Sequence, residues 1–388
     1  MKTKVAVTLC PRYEKSSVRE AVWKAADLAG GLSSFVKPGD RVFVKVNHLS
    51  PTAPREKAVI THPLFTGEVL RLLKDCGAAV TVGDDVSDGG GDGFAGSGLR
   101  EVCRSVGAPL INLRSAGFRE VPCPPGGVLK TAFISAAALD ADVIVNLPKL
   151  KTHSLTAYTG AVKNMYGLVP YGQRLALHCR FPKNAVFSRM LVDVFGSARP
   201  RLTIMDAVVA MEGPGPSAGS PRSLGLVIAG GDAVAVDAVA QVVTGFGPAD
   251  VVTTVEASRR GLGISDAASL EVLGTPLKDV TLRNFKKATI PVSVLERGIP
   301  AALYGFISGQ LVLVPEIAAA ACTGCGECAR VCPRGAVAWK PGGGARILKP
   351  ACIQCLCCHE VCPSNAIRVG PRPVGRVIRF LRHVFRKR

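Results

Sequence analysis

Eight cysteines near the C-terminal end are spaced to hold inorganic clusters. The first set reads C-T-G-C-G-E-C-A-R-V-C-P, with Cys322, Cys325, Cys328 and Cys332. The second reads C-I-Q-C-L-C-C-H-E-V-C-P, with Cys352, Cys355, Cys358 and Cys362. Both match C-x2-C-x2-C-x3-C-P, and the two copies are offset by 30 residues. Three thiolates at two-residue gaps wrap one [4Fe–4S] cube, while the fourth points toward the other cube. The expected ligand sets are therefore crossed. Cys322, Cys325, Cys328 and Cys362 hold cluster 1, and Cys352, Cys355, Cys358 and Cys332 hold cluster 2. Zinc, the rival ion, usually takes paired C-x2-C units rather than three in a row with a distal partner. A second rival makes the clusters structural staples. Two clusters at close range favour a wire instead, since one staple would suffice. Cys357 is an additional thiol beside Cys358 and reads as a bystander.

A second set of chemistry-bearing residues lies earlier. Lys45, Asn47, Asp84, Asp85, Asn146 to His153, Asp206, Glu212 and Asp232 fall just after apolar runs. In open α/β sheets, ligands bind beyond the carboxyl ends of the strands, so parallel strands would bring these groups to one rim. The densest stretch is Asn146-Leu-Pro-Lys-Leu-Lys-Thr-His153. Pro148 favours extended backbone before it. If extension continues, Lys149, Lys151 and His153 share one face. Lys163 and Asn164 follow on a helix opening near Thr159 and Gly160. Cations beside amide donors suit a carboxylate or phosphate. Lys149, Lys151, His153 and Lys163 are thus candidate acid–base groups beside a reducible anion. Lys45, Asn47, Asn146, Asn164 and Asp84 are candidate ligand contacts. The competing expectation for the lysines is a solvated basic strand edge. The acids read as caps or Asx turns before they read as a Mg²⁺ site. Asp232, just before Ala233, reads as a helix N-cap.

Other chemistries lack support. The chain has no G-x-x-x-x-G-K-[ST], no well-placed G-x-G-x-x-G and no G-x-S-x-G elbow. ATP hydrolysis, a Rossmann-type NAD site and a serine hydrolase are not indicated.

The elements that must position these residues follow from hydrophobic patterning. Strands are expected at Val5–Leu9, Val42–Val46, Ala79–Val82, Val143–Leu147, Leu202–Met205 and Leu226–Ala229. Helices are expected at Val18–Leu28, Leu64–Cys76, Leu99–Val106, Asn184–Phe195 and Ala233–Val243. Near-continuously apolar strands alternating with helices indicate an α/β fold, a parallel or mixed sheet with flanking helices. The 48% hydrophobic content and 5% aromatic content suit such a sheet better than a β-sandwich. The loops Asp88–Gly98 and Gly213–Pro221 read as turns or as ligand-contacting lids.

Three regions are expected: 1–312 as the α/β domain, 313–370 as a small α+β domain for the two clusters, and 371–388 as a tail. Net charge is +19, and the stretch from Ile367 to Arg388 holds eight Arg or Lys and no acid. From Val374 the tail patterns as an amphipathic basic helix, suited to an anionic membrane surface, the protein's own surface or an acidic redox partner protein. Nucleic acid is a weaker option, because no binding fold accompanies the charge. The start has no long apolar stretch of the signal-peptide kind and no run of 18 apolar residues occurs, so a cytoplasmic, at most membrane-peripheral, chain with free thiols is expected.

Residues from about Val314 to Val369 resemble the bacterial two-cluster ferredoxins. The earlier part resembles a widespread prokaryotic family of unassigned activity that is often fused to such a ferredoxin. That resemblance rests on Lys45-Val-Asn47, Asn146 to His153, Thr159-Gly-Ala-Val-Lys-Asn164 with Gly167, Met211 to Pro216, and Gly231 to Asp237. Lys45-Val-Asn47 departs mildly from the expected Lys-Pro-Asn. The resemblance implies a ferredoxin-like fold for the C-terminal part and a two-domain architecture, but no reaction. Three functions remain open. The clusters pass electrons to an anionic substrate or cofactor on the α/β domain; or an anion-binding domain carries structural or sensing clusters; or the chain is an electron-transfer docking subunit of a larger complex.

Overall fold

The structure is a computed structural model and describes residues 2–49, 55–86, 93–288 and 313–371. Its centre is a ten-stranded mixed sheet. In chain order the strands are β1 (Lys4–Leu9), β2 (Arg41–Val46), β3 (Ala79–Asp84), β4 (Leu110–Asn112), β5 (Phe118–Pro122), β6 (Thr131–Ser135), β7 (Val143–Leu147), β8 (Lys149–His153), β9 (Ala157–Thr159), β10 (Leu202–Glu212), β11 (Ser220–Gly230) and β12 (Glu271–Gly274). The order across the sheet is β12-β1-β11-β10-β7-β2-β3-β4, and β5 and β6 form a separate hairpin. Strands β10, β7, β2, β3 and β4 run parallel, whereas β11 is antiparallel to both β1 and β10.

Alternation along the strands gives each face its own core. Phe43 of β2 and Ile144 of β7 pack with Phe187, Met190 and Val239 from the helices Asn184–Ser197 and Ala233–Val243. Val42, Val44, Val143 and Val145 pack on the other face with Val18, Val22, Phe65 and Val69, from Lys15–Leu28 and Pro63–Asp75. Helices on both faces of a mostly parallel sheet make a three-layer α/β unit. All six expected strands and all five expected helices are present, with shifted ends. Asp232 caps Ala233–Val243 as expected, its Oδ1 accepting from the amides of Val234 (2.8 Å) and Ala235 (3.1 Å). Short or edge strands such as β4, β9 and β12 fall outside the patterning.

Strand β10 is the longest departure, reaching Glu212 instead of ending at Met205. Its first half pairs with β7 and its second half with β8, and the chain turns at Pro148 between the two. The register slips within β10: Lys149 lies opposite Asp206, yet Lys151 lies opposite Met211, with the extra residues on the β10 side. Strand β8 is continuous from Lys149 to His153, so these alternate residues keep one face of the strand as expected, but that face meets different neighbours along its length.

The cluster module is small. Strand β13 (Leu313–Ile317) pairs antiparallel with β16 (Ile367–Pro371), and β14 (Val337–Trp339) with β15 (Ala345–Ile347). Two short helices, Glu327–Arg330 and Cys357–Val361, pack on one another. The expected basic tail lies outside the described residues, as do parts of the Asp88–Gly98 loop and of the connection to the module. Among the described residues no helix is long and apolar enough to cross a membrane.

Candidate functional site

The cysteines gather as crossed sets. One small hollow is walled by Cys322, Cys325, Cys328 and Cys362, with Ile317 and Ile367. A second is walled by Cys332, Cys352, Cys355 and Cys358, with Val337 and Leu356. Each hollow thus holds the first three motif cysteines of one copy and the distal cysteine of the other, and Cys357 also lines the second. The distal sulfurs accept backbone hydrogen bonds at equivalent positions: the Ala336 amide donates to Cys332 Sγ (3.1 Å) and the Ala366 amide to Cys362 Sγ (3.2 Å). Such N–H donors favour thiolate and tune cluster potential. Among the described residues no group of three or more His, Cys, Asp or Glu is gathered tightly enough for a single metal ion. Soft thiolate donors in apolar hollows fit [4Fe–4S] ligation.

A larger cavity of about 390 Å³ opens where the carboxyl ends of the parallel strands meet the cluster module. Lys45 and Asp84 come from the ends of the adjacent strands β2 and β3 and form a buried ion pair at 2.8 Å. Burial pushes Lys45 down and Asp84 up from their usual values, and their mutual attraction offsets part of that. The Asp84 carboxylate also accepts from the His48 amide (2.8 Å) and the Asp85 amide (2.8 Å). Gly167 leaves room for this pair. A Cβ there would sit 2.5 Å from Asp84 Oδ1 and 2.6 Å from Lys45 Nζ.

Three asparagines form a relay behind this wall. Asn146 Nδ2 donates to the Ala161 carbonyl (3.0 Å), Asn164 Nδ2 to Asn146 Oδ1 (2.7 Å), and Asn47 Nδ2 to Asn164 Oδ1 (2.9 Å). The short helix Ala161–Asn164 that presents Lys163 and Asn164 is pinned by Asp237. This buried carboxylate accepts from the amides of Ala161 (2.6 Å) and Val162 (3.0 Å) and from the Tyr158 hydroxyl (3.1 Å).

Charge on the cavity wall is uneven. Arg174 is paired with Asp85 (3.1 Å), and Arg330 with Glu327 (2.9 Å). Among the described residues, Lys151 Nζ donates only to the Val59 carbonyl (2.7 Å), and Lys163 makes no hydrogen bond or ion pair. Burial, reinforced by the neighbouring Lys163 cation, pushes Lys151 down to about 7. Burial also moves Lys163 downward. Glu360 attracts both lysines but forms no ion pair with either among the described residues, so an anion in the cavity would add the close counter-charge that they lack.

The module contributes Cys325, Glu327, Arg330, Cys357 and Glu360 to the same cavity. Glu360 Oε1 lies 3.2 Å from His153 Nε2 across the domain boundary. His153 Nδ1 accepts from the amides of Leu155 (3.1 Å) and Thr156 (3.3 Å), so its single proton sits on Nε2, facing Glu360. Burial pushes this imidazole down to about 3, so a neutral ring faces the carboxylate, close to it but without hydrogen-bond geometry. His359 adds a second tie, with Nε2 3.2 Å from the Pro214 carbonyl and its own carbonyl accepting from Ser217 Oγ (3.3 Å).

Of the sequence candidates, Lys45, Asn47, Asp84, Lys151, Lys163 and Asn164 line the cavity. Asn146 stands behind it in the relay, and His153 sits at the domain boundary. Lys149 goes elsewhere, into a buried group with Asp206 (2.9 Å) and the Tyr13 hydroxyl (2.6 Å). The solvated-edge expectation is overturned, since Lys149 and Lys151 are 1% and 2% exposed. Cys357 proves to pack the domain boundary, buried with Val331, Tyr171 and Leu175. Tyr171, Arg174, Leu175 and His178 line the cavity from the helix Tyr171–Arg180 and were missed. Their i, i+3, i+4, i+7 spacing was the available signal.

Comparison with known proteins identifies the two parts of the chain. Residues 42–241 match the family described as Domain of unknown function (DUF362), and residues 321–367 match the 4Fe-4S dicluster domain. A thylakoid-associated protein of Synechocystis sp. is 31% identical over 293 residues, which is 75% of this chain and 89% of that protein. Two solved structures overlap weakly. The lactate racemase apoprotein of Thermoanaerobacterium thermosaccharolyticum is 14% identical with a TM-score of 0.34, covering 60% of this chain and 54% of that one. A Thermotoga maritima protein is 15% identical with a TM-score of 0.34, covering 56% and 55%. This chain therefore spans only about half of either solved protein, and overlaps this slight carry no argument about fold or activity. By its sequence matches, the chain belongs to the DUF362 family, with a 4Fe–4S dicluster ferredoxin domain following the family domain.

Proposed function

We propose that two [4Fe–4S] clusters serve as an electron path to an anionic small molecule bound in the cavity between the α/β domain and the ferredoxin module. One observation carries the reading. Cys325, in the ligand set of cluster 1, lines the same 390 Å³ cavity as Lys151 and Lys163. The clusters, when bound, supply electrons one at a time. The chain's own residues do the rest. Lys163 and Lys151 hold the anion, and Lys151, pushed down to about 7, is suited to give up a proton near neutral pH. Lys45, Arg174 and Arg330 have carboxylate partners and shape the wall.

The test uses anaerobically reconstituted full-length protein. Iron and sulfide analysis should give about eight of each per chain. A panel of small anions is then added to the reduced protein while cluster EPR and absorbance are followed. The expected result is reoxidation by particular anions, lost in Lys163→Met with iron content unchanged. Anion affinity should be greatest below pH 7 and fall as Lys151 loses its proton, and Lys151→Met should flatten that fall. Lys163, Glu360, Asp84 and Lys149 also act on Lys151, so the same variant isolates its contribution. Reoxidation that ignores every anion, or is equal in Lys163→Met, removes the reading.

For residues 371–388 we infer contact with an anionic membrane surface. The thylakoid association of the Synechocystis relative supports this. Liposomes containing anionic lipid should pellet the full chain and not one ending at Pro373. Equal pelleting ends the idea and leaves the tail for an acidic redox partner.

A further inference from the structure

The asparagine relay has a fixed direction. Asn164 Nδ2 faces the carbonyls of Lys45 (3.4 Å) and Val46 (3.4 Å) as well as Asn146 Oδ1, and Asn146 Nδ2 faces the Ala161 carbonyl. Carbonyls only accept, so neither amide can be turned over without setting oxygen against oxygen. Asn164 must therefore present Oδ1 to Asn47, and Asn47 must answer with Nδ2. The relay ends on Asn47 Oδ1, a buried acceptor with no donor among the described residues. Thr159 Oγ1 and His178 Nδ1, on the same cavity wall, are also buried and unpartnered. Leaving a buried acceptor unpaired is costly, and a ligand that supplies the donor recovers that cost.

This acceptor stands close to the charge. Asn47 is bonded to Asn164, the residue after Lys163. An ammonium on the ligand would satisfy Asn47 but would be repelled by Lys151 and Lys163, whereas a neutral hydroxyl would not. The lining also includes Tyr171, Leu175 and Val361, an apolar and aromatic surface for a carbon skeleton.

We propose that the ligand of this cavity is a small hydroxylated organic anion, its charged group on Lys163 and Lys151 and its hydroxyl donating to Asn47 Oδ1. The proposal rests on the anion reading above and narrows it to a substrate class. Matched probes separate the two. Mandelate and phenylacetate differ only in the hydroxyl, as do glycolate and acetate. Each is titrated against the full-length, cluster-loaded, oxidised protein under anaerobic conditions, with affinity read by calorimetry and by the shift in melting temperature. The hydroxylated member of each pair should bind about tenfold tighter, the worth of one recovered hydrogen bond. Lys163→Met should weaken all four probes, while Asn47→Leu should erase the difference within each pair. Equal affinities within the pairs in the wild-type protein overturn the proposal without any variant, and so does a preference that survives Asn47→Leu. Binding that keeps the hydroxyl preference while the reduced clusters stay reduced upholds the ligand class and refutes the electron-transfer reading. No binding of any probe at 10-millimolar order overturns the ligand class.

Discussion

The two cysteine copies share a spacing and face different worlds. In the first, Cys325 is exposed, and Arg330 pairs with Glu327 with side chains 59% and 36% exposed. The counterparts 30 residues on are Cys355, Glu360 and Cys357. Cys355 and Cys357 are buried, and Glu360 reaches across to His153. Backbone shape is nonetheless repeated. Gly324 and Gly326 are left-handed in the first copy (φ 68° and 77°), and Gln354 and Leu356 hold the same conformation in the second (φ 60° and 64°). The cysteine spacing and the left-handed positions therefore set the cages. The residues between the cysteines decide which side joins the α/β domain.

The comparison breaks most visibly if the cages are not crossed. Cys322→Ala with Cys362→Ala removes two ligands from one hollow and none from the other, so about four irons should remain per chain. Cys322→Ala with Cys332→Ala strikes both hollows, and iron should fall toward zero. Iron and sulfide analysis after anaerobic reconstitution reads both. The opposite ranking would mean that each copy keeps its own fourth cysteine.

Next in size is the exchange of a glycine and a tryptophan. Trp339 lies over the first copy's loop, its Nε1 donating to the Gly324 carbonyl at 2.7 Å. A Cβ at Gly326 would meet Trp339 Cε2 at 2.7 Å. In the second copy the paired positions hold Leu356 and Val369, the large residue moved from one to the other. Gly326→Leu should cost about 2–4 kcal/mol through overpacking and a left-handed non-glycine residue. Adding Trp339→Val should recover part of that loss, a coupling that denaturant unfolding of the cluster-loaded single and double variants would measure. Additive losses would show that the exchange is coincidental.

Much of this could be read from sequence because it depends on local pattern. The apolar runs at Val42–Val46 and Val143–Leu147 are buried on both faces, so each announces a central strand. The crossed cysteine sets follow from spacing alone. The cavity was legible in part: Lys45 and Asn47 lie at the end of β2, Lys151 lies in β8, Lys163 and Asn164 lie in the short helix after β9, and strand ends converge. Lys149 misled because its partners, Asp206 of β10 and Tyr13, come from distant parts of the chain, which a lysine–lysine alternation does not encode. Glu360 was hidden because its role depends on where a second domain docks, and no periodicity encodes that. The antiparallel insertion of β11 between β1 and β10 is likewise a long-range fact.

The symmetric pair Arg330 and Glu360 gives a smaller contrast. Glu360→Ala removes a buried carboxylate that faces His153 at 3.2 Å and attracts Lys163, so its loss should cost more than that of an exposed pair. Arg330→Ala breaks only an exposed pair, worth about 0–1 kcal/mol. Limited proteolysis should cleave between the domains faster in Glu360→Ala than in Arg330→Ala, with iron content the same in both. Equal rates would mean that the domain boundary gains nothing from the carboxylate.

The smallest effect isolates backbone strain from packing. Gln354 is held at φ 60°, where its counterpart Gly324 adopts φ 68° freely. A side chain in that region costs about 1–2 kcal/mol, while glycine loses about 0.5–1 kcal/mol more entropy on folding. Gln354→Gly should therefore stabilise the cluster-loaded protein by about 0.5 kcal/mol. At Gly324 a Cβ would find its nearest neighbour, the Gly344 amide nitrogen, at an ordinary 3.6 Å. Gly324→Gln should then lose a similar small amount with no clash to relieve. Matched shifts of opposite sign in denaturant midpoints would show that the two copies differ here only in conformational cost. A large loss in Gly324→Gln would mean that the first loop tolerates side chains less well than its shape implies.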